Sequence, residues 1–226
     1  MKNEKLGNIT FVTGTGTGVG KSVATGILAG SLFRAGMDVI TVKMVQTGND
    51  GYSEDLQLHR RIMGADPFPE DIKGLTAPQI FKYPSSALLA AQLEGRRVDL
   101  AKIRRSIYAC AKAHDYVMVE SAGGLFVPLT RDVLTIDFLK KEGWPTILVT
   151  NGALGSINHT LMSIEALVSR KIPLAGVVYC WAPDVPPEID KDTPETIKRY
   201  LKKWGLRHTK FHVIPRVKLP EQPSGR

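Results

Sequence analysis

One nine-residue segment, Gly14-Thr15-Gly16-Thr17-Gly18-Val19-Gly20-Lys21-Ser22, constrains the fold of this chain more than any other. An apolar stretch over residues 9–12 precedes it and reads as a short strand. A helical pattern over about 21–35 follows, closed by Gly36. Glycines at this spacing let backbone N–H groups turn inward around a polyphosphate. The N-terminus of the following helix adds partial positive charge. In such a loop Lys21 reaches the terminal phosphates and the Ser22 hydroxyl is a ligand for Mg²⁺. The common pattern has four residues between the first glycine and the Gly-Lys pair, whereas five separate Gly14 from Gly20.

The rest of the chain alternates strand and helix patterns. Strands are expected at 39–42, 116–119, 146–150, 176–179 and 212–214, and helices at 53–63, 85–93, 100–113, 157–169 and 193–204. Residues 64–84, rich in Pro, Asp and Gly, read as irregular, and 182–187 as a loop. Apolar strands alternating with helices imply a mostly parallel sheet covered on both faces, in one α/β domain spanning 1–226 with the P-loop NTPase fold. Ligands of such sheets bind at the carboxyl ends of the strands, so the loops that follow them are the places to look.

Each of those loops carries polar candidates. Lys43-Met44-Val45-Gln46-Thr47-Gly48 puts a lysine at a strand end beside the phosphate loop, with Asp55 in the first turn of the next helix. Glu120-Ser121-Ala122-Gly123-Gly124 brings a carboxylate out of an apolar strand. Ser22, Asp55 and Glu120 together supply the oxygen ligands that Mg²⁺ prefers. Asn151 to His159 opens another helix whose N-terminus suits a second anion, although Asn158 would serve equally as a cap.

Several other classes fit poorly. A dinucleotide fingerprint counted from Gly14 or Gly16 meets Val19 or Lys21 where its third glycine belongs, and the second strand ends in Lys43 instead of an acid. Gly16 stands where switch ATPases of the chromosome-partitioning type carry a second lysine. The chain has no Gly-x-Ser-x-Gly elbow. Net charge is +8 and favours anionic partners. Its densest run, Lys198, Arg199, Lys202, Lys203, Arg207 and Lys210, reads as a solvated helix face, with Tyr200 and Trp204 expected to turn toward the core. Neither nucleic acid nor a membrane is an expected partner. The two cysteines, Cys110 and Cys180, lie far apart, and no apolar leader opens the chain, so a reducing cytoplasm is expected.

These segments, taken in order with Glu94-Gly95-Arg96, resemble the dethiobiotin synthetase family over most of the chain to about residue 180. The resemblance implies an ATP-dependent cyclo-ligase that joins 7,8-diaminopelargonic acid and CO₂ into a cyclic urea, with Mg²⁺ as cofactor and a homodimer as the working form. It implies that Gly16, Thr17, Gly18, Val19, Gly20, Lys21 and Ser22 hold the nucleotide phosphates. Thr17, Lys21, Lys43 and Thr47 would act on phosphate and carbamate oxygens. Ser22, Asp55 and Glu120 would hold the metal, with Glu120 also beside the substrate. Gly155, Ser156, Ile157 and Asn158 would bind the substrate carboxylate from the partner subunit. Cys180 stands where the family reads adenine with an Asn, and backbone near Ile214, Pro215 and Arg216 is the alternative reader of the base. The alternative reading is a regulatory P-loop ATPase or a related amide-forming synthase with another substrate.

Overall fold

The computed structural model describes residues 7–182 and 185–217. Its centre is a six-stranded, wholly parallel sheet in the order β2-β5-β1-β6-β7-β8. The strands are β1 (Ile9–Gly14), β2 (Val39–Lys43), β5 (Tyr116–Gly124), β6 (Thr146–Asn151), β7 (Leu174–Cys180) and β8 (Lys210–Ile214). A second ribbon pairs β3 (Gln46–Thr47) with β4 (Ile80–Phe81). The helices are α1 (Lys21–Arg34), α2 (Glu54–Met63), α3 (Pro69–Ile72), α4 (Ala87–Leu93), α5 (Leu100–Ala113), α6 (Thr135–Glu142), α7 (Ser156–Ser169) and α8 (Pro187–Lys203).

The inner strands are largely apolar because both faces of the sheet are covered there, whereas the edge strand β8 is mostly exposed. Every residue of β1 and β2 is buried. One core packs Phe11, Ile40, Val119, Ile103, Ile107 and Leu139 together, with Trp144 against Phe11 and Phe138. The other gathers Val12, Val19, Ala24, Met63, Val178 and Cys180. β1 lies between β5 and β6, so the winding reverses direction there, and the crevice at its carboxyl end is the topological switch point.

α1 and α2 are drawn unusually close. A Cβ on Gly26 would meet the Ile62 side chain at 3.0 Å, and one on Gly30 would meet Met63 Cα at 3.2 Å. α2 itself starts at Ser53, whose hydroxyl accepts from Leu56 N–H at 3.2 Å and donates to Gln46 Oε1 at 2.7 Å. That cap ties the first turn of α2 to the β3 ribbon.

The structure differs from the sequence expectations in several places. Residues 64–84 are not wholly irregular, since they contain α3 and β4. α6 occupies a stretch for which no element was expected. α8 begins at Pro187, six residues before the expected start, because Pro at the first helical position costs no hydrogen bond. Trp204 is 41% exposed, packing edge-on to Tyr200 at 5.7 Å instead of entering the core. The basic run around it is exposed as expected.

Phe11 sits at the middle of the central strand with no exposure. Phe11→Ala should destabilise the fold by about 3–5 kcal/mol, the usual cost of such a core truncation. Urea denaturation measures this, and a loss below about 1 kcal/mol would show that the core collapses around the gap.

Candidate functional site

A cavity of about 1040 Å³ opens at the carboxyl ends of β1, β2 and β5. Thr17, Gly18, Gly20, Lys21, Ser22, Lys43, Thr47, Asp55 and Glu120 all line it. The glycine-rich loop runs from β1 into α1 with Gly18 at φ 73° and Gly20 at φ 94°, left-handed conformations that suit glycine. A Cβ on Gly14 would lie 2.7 Å from Val19 Cγ2, so the loop closes over a bare backbone. Val19 itself is 8% exposed and packs inward, leaving its backbone as the part that can face a ligand. Lys21 Nζ donates to Gly16 O at 2.7 Å, folding the lysine back over its own loop.

Four side chains from four elements meet beneath that loop. Ser22 Oγ, at the start of α1, donates within 2.6 Å of Asp55 Oδ1 and 2.9 Å of Glu120 Oε1. Lys43 Nζ, at the end of β2, lies 2.6 Å from Asp55 Oδ2 and 2.7 Å from Glu120 Oε1. The parallel register pairs Lys43 directly with Glu120, which explains their approach. Glu120 lies inside β5, not just beyond it. The strand continues to Gly124, and two steps along β1 answer to four along β5 at this point. That irregularity carries Ala122 and Gly123 around the cavity wall, while Ser121 is fully buried.

Charge in this cluster is strongly coupled. Burial works against the Glu120 carboxylate, but Lys43 and then His59 outweigh it and hold its pKa well below the carboxylate range. Burial also works against the Lys43 ammonium, yet Glu120 and Asp55 hold its pKa above that of an ordinary lysine. Lys21 goes the other way. Burial, then the neighbouring Lys43, push its pKa down to about 8, against the opposing pull of Glu120 and Asp55. The lysine that folds over the loop is thus short of counter-charge, and a polyanion would supply it.

The remaining candidates fall outside this cavity. Gly155, at φ 88°, is the N-cap of α7, and no side chain caps that helix, so Asn158 does not play the capping part. Gly155 and Asn158 are exposed, Ser156 is buried and Ile157 half-buried, and none of the four lines the Lys21 cavity of their own chain. Cys180 ends β7 with Sγ 3.9 Å from Gly20 O, supporting the loop from behind. Pro215 follows β8 and is exposed. Sequence reasoning passed over His59, which reaches Glu120 from α2, and Arg61, which lines the cavity. His59 lies four residues after Asp55, on the same face of a helix, and that spacing was the available signal.

Burial pushes both thiols, Cys110 and Cys180, up to about 12, from an ordinary value of 9.0. The unfolded thiols ionise first, so this contribution to stability falls as pH rises between those values. In the native protein at pH 8 both cysteines should react with a disulfide reagent at least about a hundredfold more slowly than after denaturation. Equal rates before and after unfolding would show that they are not buried.

Comparison with known proteins places this arrangement. A family model described as AAA domain matches residues 9–216. The ATP-dependent dethiobiotin synthetase BioD 2 of Pasteurella multocida is 42% identical over 92% of this chain and 98% of its own length. The ATP-dependent dethiobiotin synthetase BioD of Chlorobaculum tepidum is 42% identical over 91% and 87%. Among solved structures, pNOB8 ParA bound to nonspecific DNA aligns with a TM-score of 0.55 at 13% identity, over 97% of this chain and 88% of that one, a likeness of fold alone. With relatives this similar along nearly their whole length, the chain belongs to the ATP-dependent dethiobiotin synthetase family.

Proposed function

We propose that this protein is an ATP-dependent cyclo-ligase that converts 7,8-diaminopelargonic acid and CO₂ into dethiobiotin, with release of ADP and phosphate. The observation that carries the reading is the convergence of Lys21, Lys43 and the Ser22, Asp55 and Glu120 oxygens on one cavity. In the reaction, one amine of the substrate takes up CO₂ as a carbamate. The carbamate oxygen attacks the γ-phosphorus of ATP, giving a mixed anhydride and ADP. The second amine then attacks the carbamoyl carbon, closes the cyclic urea and expels phosphate.

Most of that sequence demands positioning and charge neutralisation. Lys21, released from Gly16 O, meets the terminal phosphates. Lys43 and Thr47 face the carbamate from the other side of the cavity, and Thr17 donates from the loop. The oxygen set fits a Mg²⁺ ion. Two carboxylates and a hydroxyl crowd within hydrogen-bond distance, and one ammonium, that of Lys43, contacts both carboxylates. A divalent cation held by Ser22, Asp55 and Glu120 would neutralise phosphate charge when bound.

A second copy of the chain completes the site in this reading. Gly155, Ser156, Ile157 and Asn158 sit away from their own cavity beside a fully exposed Leu154, so they are free to offer a helix N-terminus to a substrate carboxylate in a partner's cavity. The cytoplasm, where ATP and CO₂ are at hand, is the compartment this activity implies.

The deciding assay is phosphate release that requires both diaminopelargonate and bicarbonate; release independent of the diamine would sink the proposal. Lys21→Ala should abolish that turnover without unfolding the protein. Retention of more than about a tenth of the rate, only ~1.4 kcal/mol of barrier, would remove Lys21 from the chemistry. Glu120→Gln should raise the Mg²⁺ concentration needed for half-maximal activity, and an unshifted metal titration would take Glu120 out of the ligand set.

A further inference from the structure

His59 has no exposure to solvent, and its imidazole is fixed at both ends. Nδ1 lies 3.0 Å from Thr41 Oγ1, and Nε2 lies 2.7 Å from Glu120 Oε2. A carboxylate oxygen only accepts, so Nε2 carries the proton of that bond. Thr41 Oγ1 is itself gripped by Arg60 Nη1 at 2.7 Å. Arg60 in turn is anchored on Asp71 by a two-pronged pair, Nε to Oδ2 at 2.8 Å and Nη2 to Oδ1 at 2.7 Å. A line of polar contacts thus runs from the half-buried Asp71 through Arg60, Thr41 and His59 to the far oxygen of Glu120, buried from Arg60 inward.

The near oxygen, Oε1, does different work. It takes Ser22 Oγ and Lys43 Nζ, the groups that open on the cavity. A carboxylate can swivel about its terminal bond, and the strand backbone alone does not stop it. A donor on Oε2 fixes it from the opposite side to Ser22 and Lys43, and His59 is placed to be that donor. An imidazole is also a costly group to bury without polar partners, so a position serving packing alone would suit an apolar side chain better.

We propose that His59 is a positioning residue for the reaction: by donating to Glu120 Oε2 it orients Oε1 toward Ser22 and the metal-binding side of the cavity. The inference rests on the ligand role proposed above for Glu120. It assigns His59 no contact with substrate or nucleotide.

The test is direct binding of Mn²⁺, followed by electron paramagnetic resonance, to the full chain in the presence of ADP. His59→Gln keeps an N–H donor at similar reach, His59→Asn is polar but too short, and His59→Leu removes the donor. Wild type and His59→Gln should bind Mn²⁺ within about threefold of each other, while the Asn and Leu variants weaken it by about 10–100-fold, the range for outer partners of metal ligands. In turnover the same two variants should lose kcat and need more Mg²⁺, and the Gln variant should regain both. A folded Leu or Asn variant that binds Mn²⁺ as wild type does overturns the inference, and so does a folded Gln variant as weak as Leu. If Leu does not fold, Asn decides. Glu120→Gln separates the two levels. Mn²⁺ binding unchanged in that variant defeats the ligand reading itself. Mn²⁺ binding weakened there but intact in His59→Asn defeats only the role of His59.

Discussion

A carboxylate with no access to solvent, Glu120, organises this molecule's functional end. Burying such a charge is expensive unless every lone pair is answered. Here the answers come from three other elements: Ser22 from α1, Lys43 from β2 and His59 from α2. Each partner is fixed by something else. Ser22 belongs to the turn after the phosphate loop, Lys43 to the neighbouring strand, and His59 to the Thr41–Arg60 contacts. The Glu120 side chain is therefore a junction at which loop, sheet and helix layers share one set of polar contacts. Its depressed pKa records the same fact, because the charged form is the one those partners hold.

Much of this was legible in the sequence for a simple physical reason. A polyphosphate needs inward-turned amides and cations at strand ends, and glycines and lysines at strand ends are visible in one dimension. Lys43 and Glu120 were found by that rule, and the register brings them side by side. His59 was not found, because a histidine inside an amphipathic helix gives no local sign of what it meets across space. The β3–β4 ribbon was invisible for another reason. Two strands of two residues each show no alternation to detect, and their pairing joins residues 34 apart, Gln46 with Ile80 and Thr47 with Phe81. α6 carried a fairer signal in Ile136, Leu139 and the closing Gly143, but it spans only two turns. The early start of α8 is masked because the prolines of 182–187 resemble a loop, although at a helix's first position proline is permissive.

The layered fold by itself decides little about chemistry. A DNA-bound ParA shares it at 13% identity. What distinguishes one such chain from another is the handful of side chains set on the strand ends. In this chain those include the opposed charges of Lys43, Asp55 and Glu120 beneath the phosphate loop.

The seam between α1 and α2 carries a cost that functional groups alone do not reveal. Gly26 and Gly30 each weaken α1 as a helix, by roughly 0.5–1 kcal/mol relative to alanine. Neither lines the Lys21 cavity. Their bareness lets the Ile62 side chain and the Met63 backbone at the end of α2 lie against α1, the helix pair whose first turns hold Ser22 and Asp55 2.6 Å apart. An added methyl at either position would ask its neighbours in this seam to give by a few tenths of an ångström. The packing of α1 on α2 thus depends, at two positions, on the absence of a side chain.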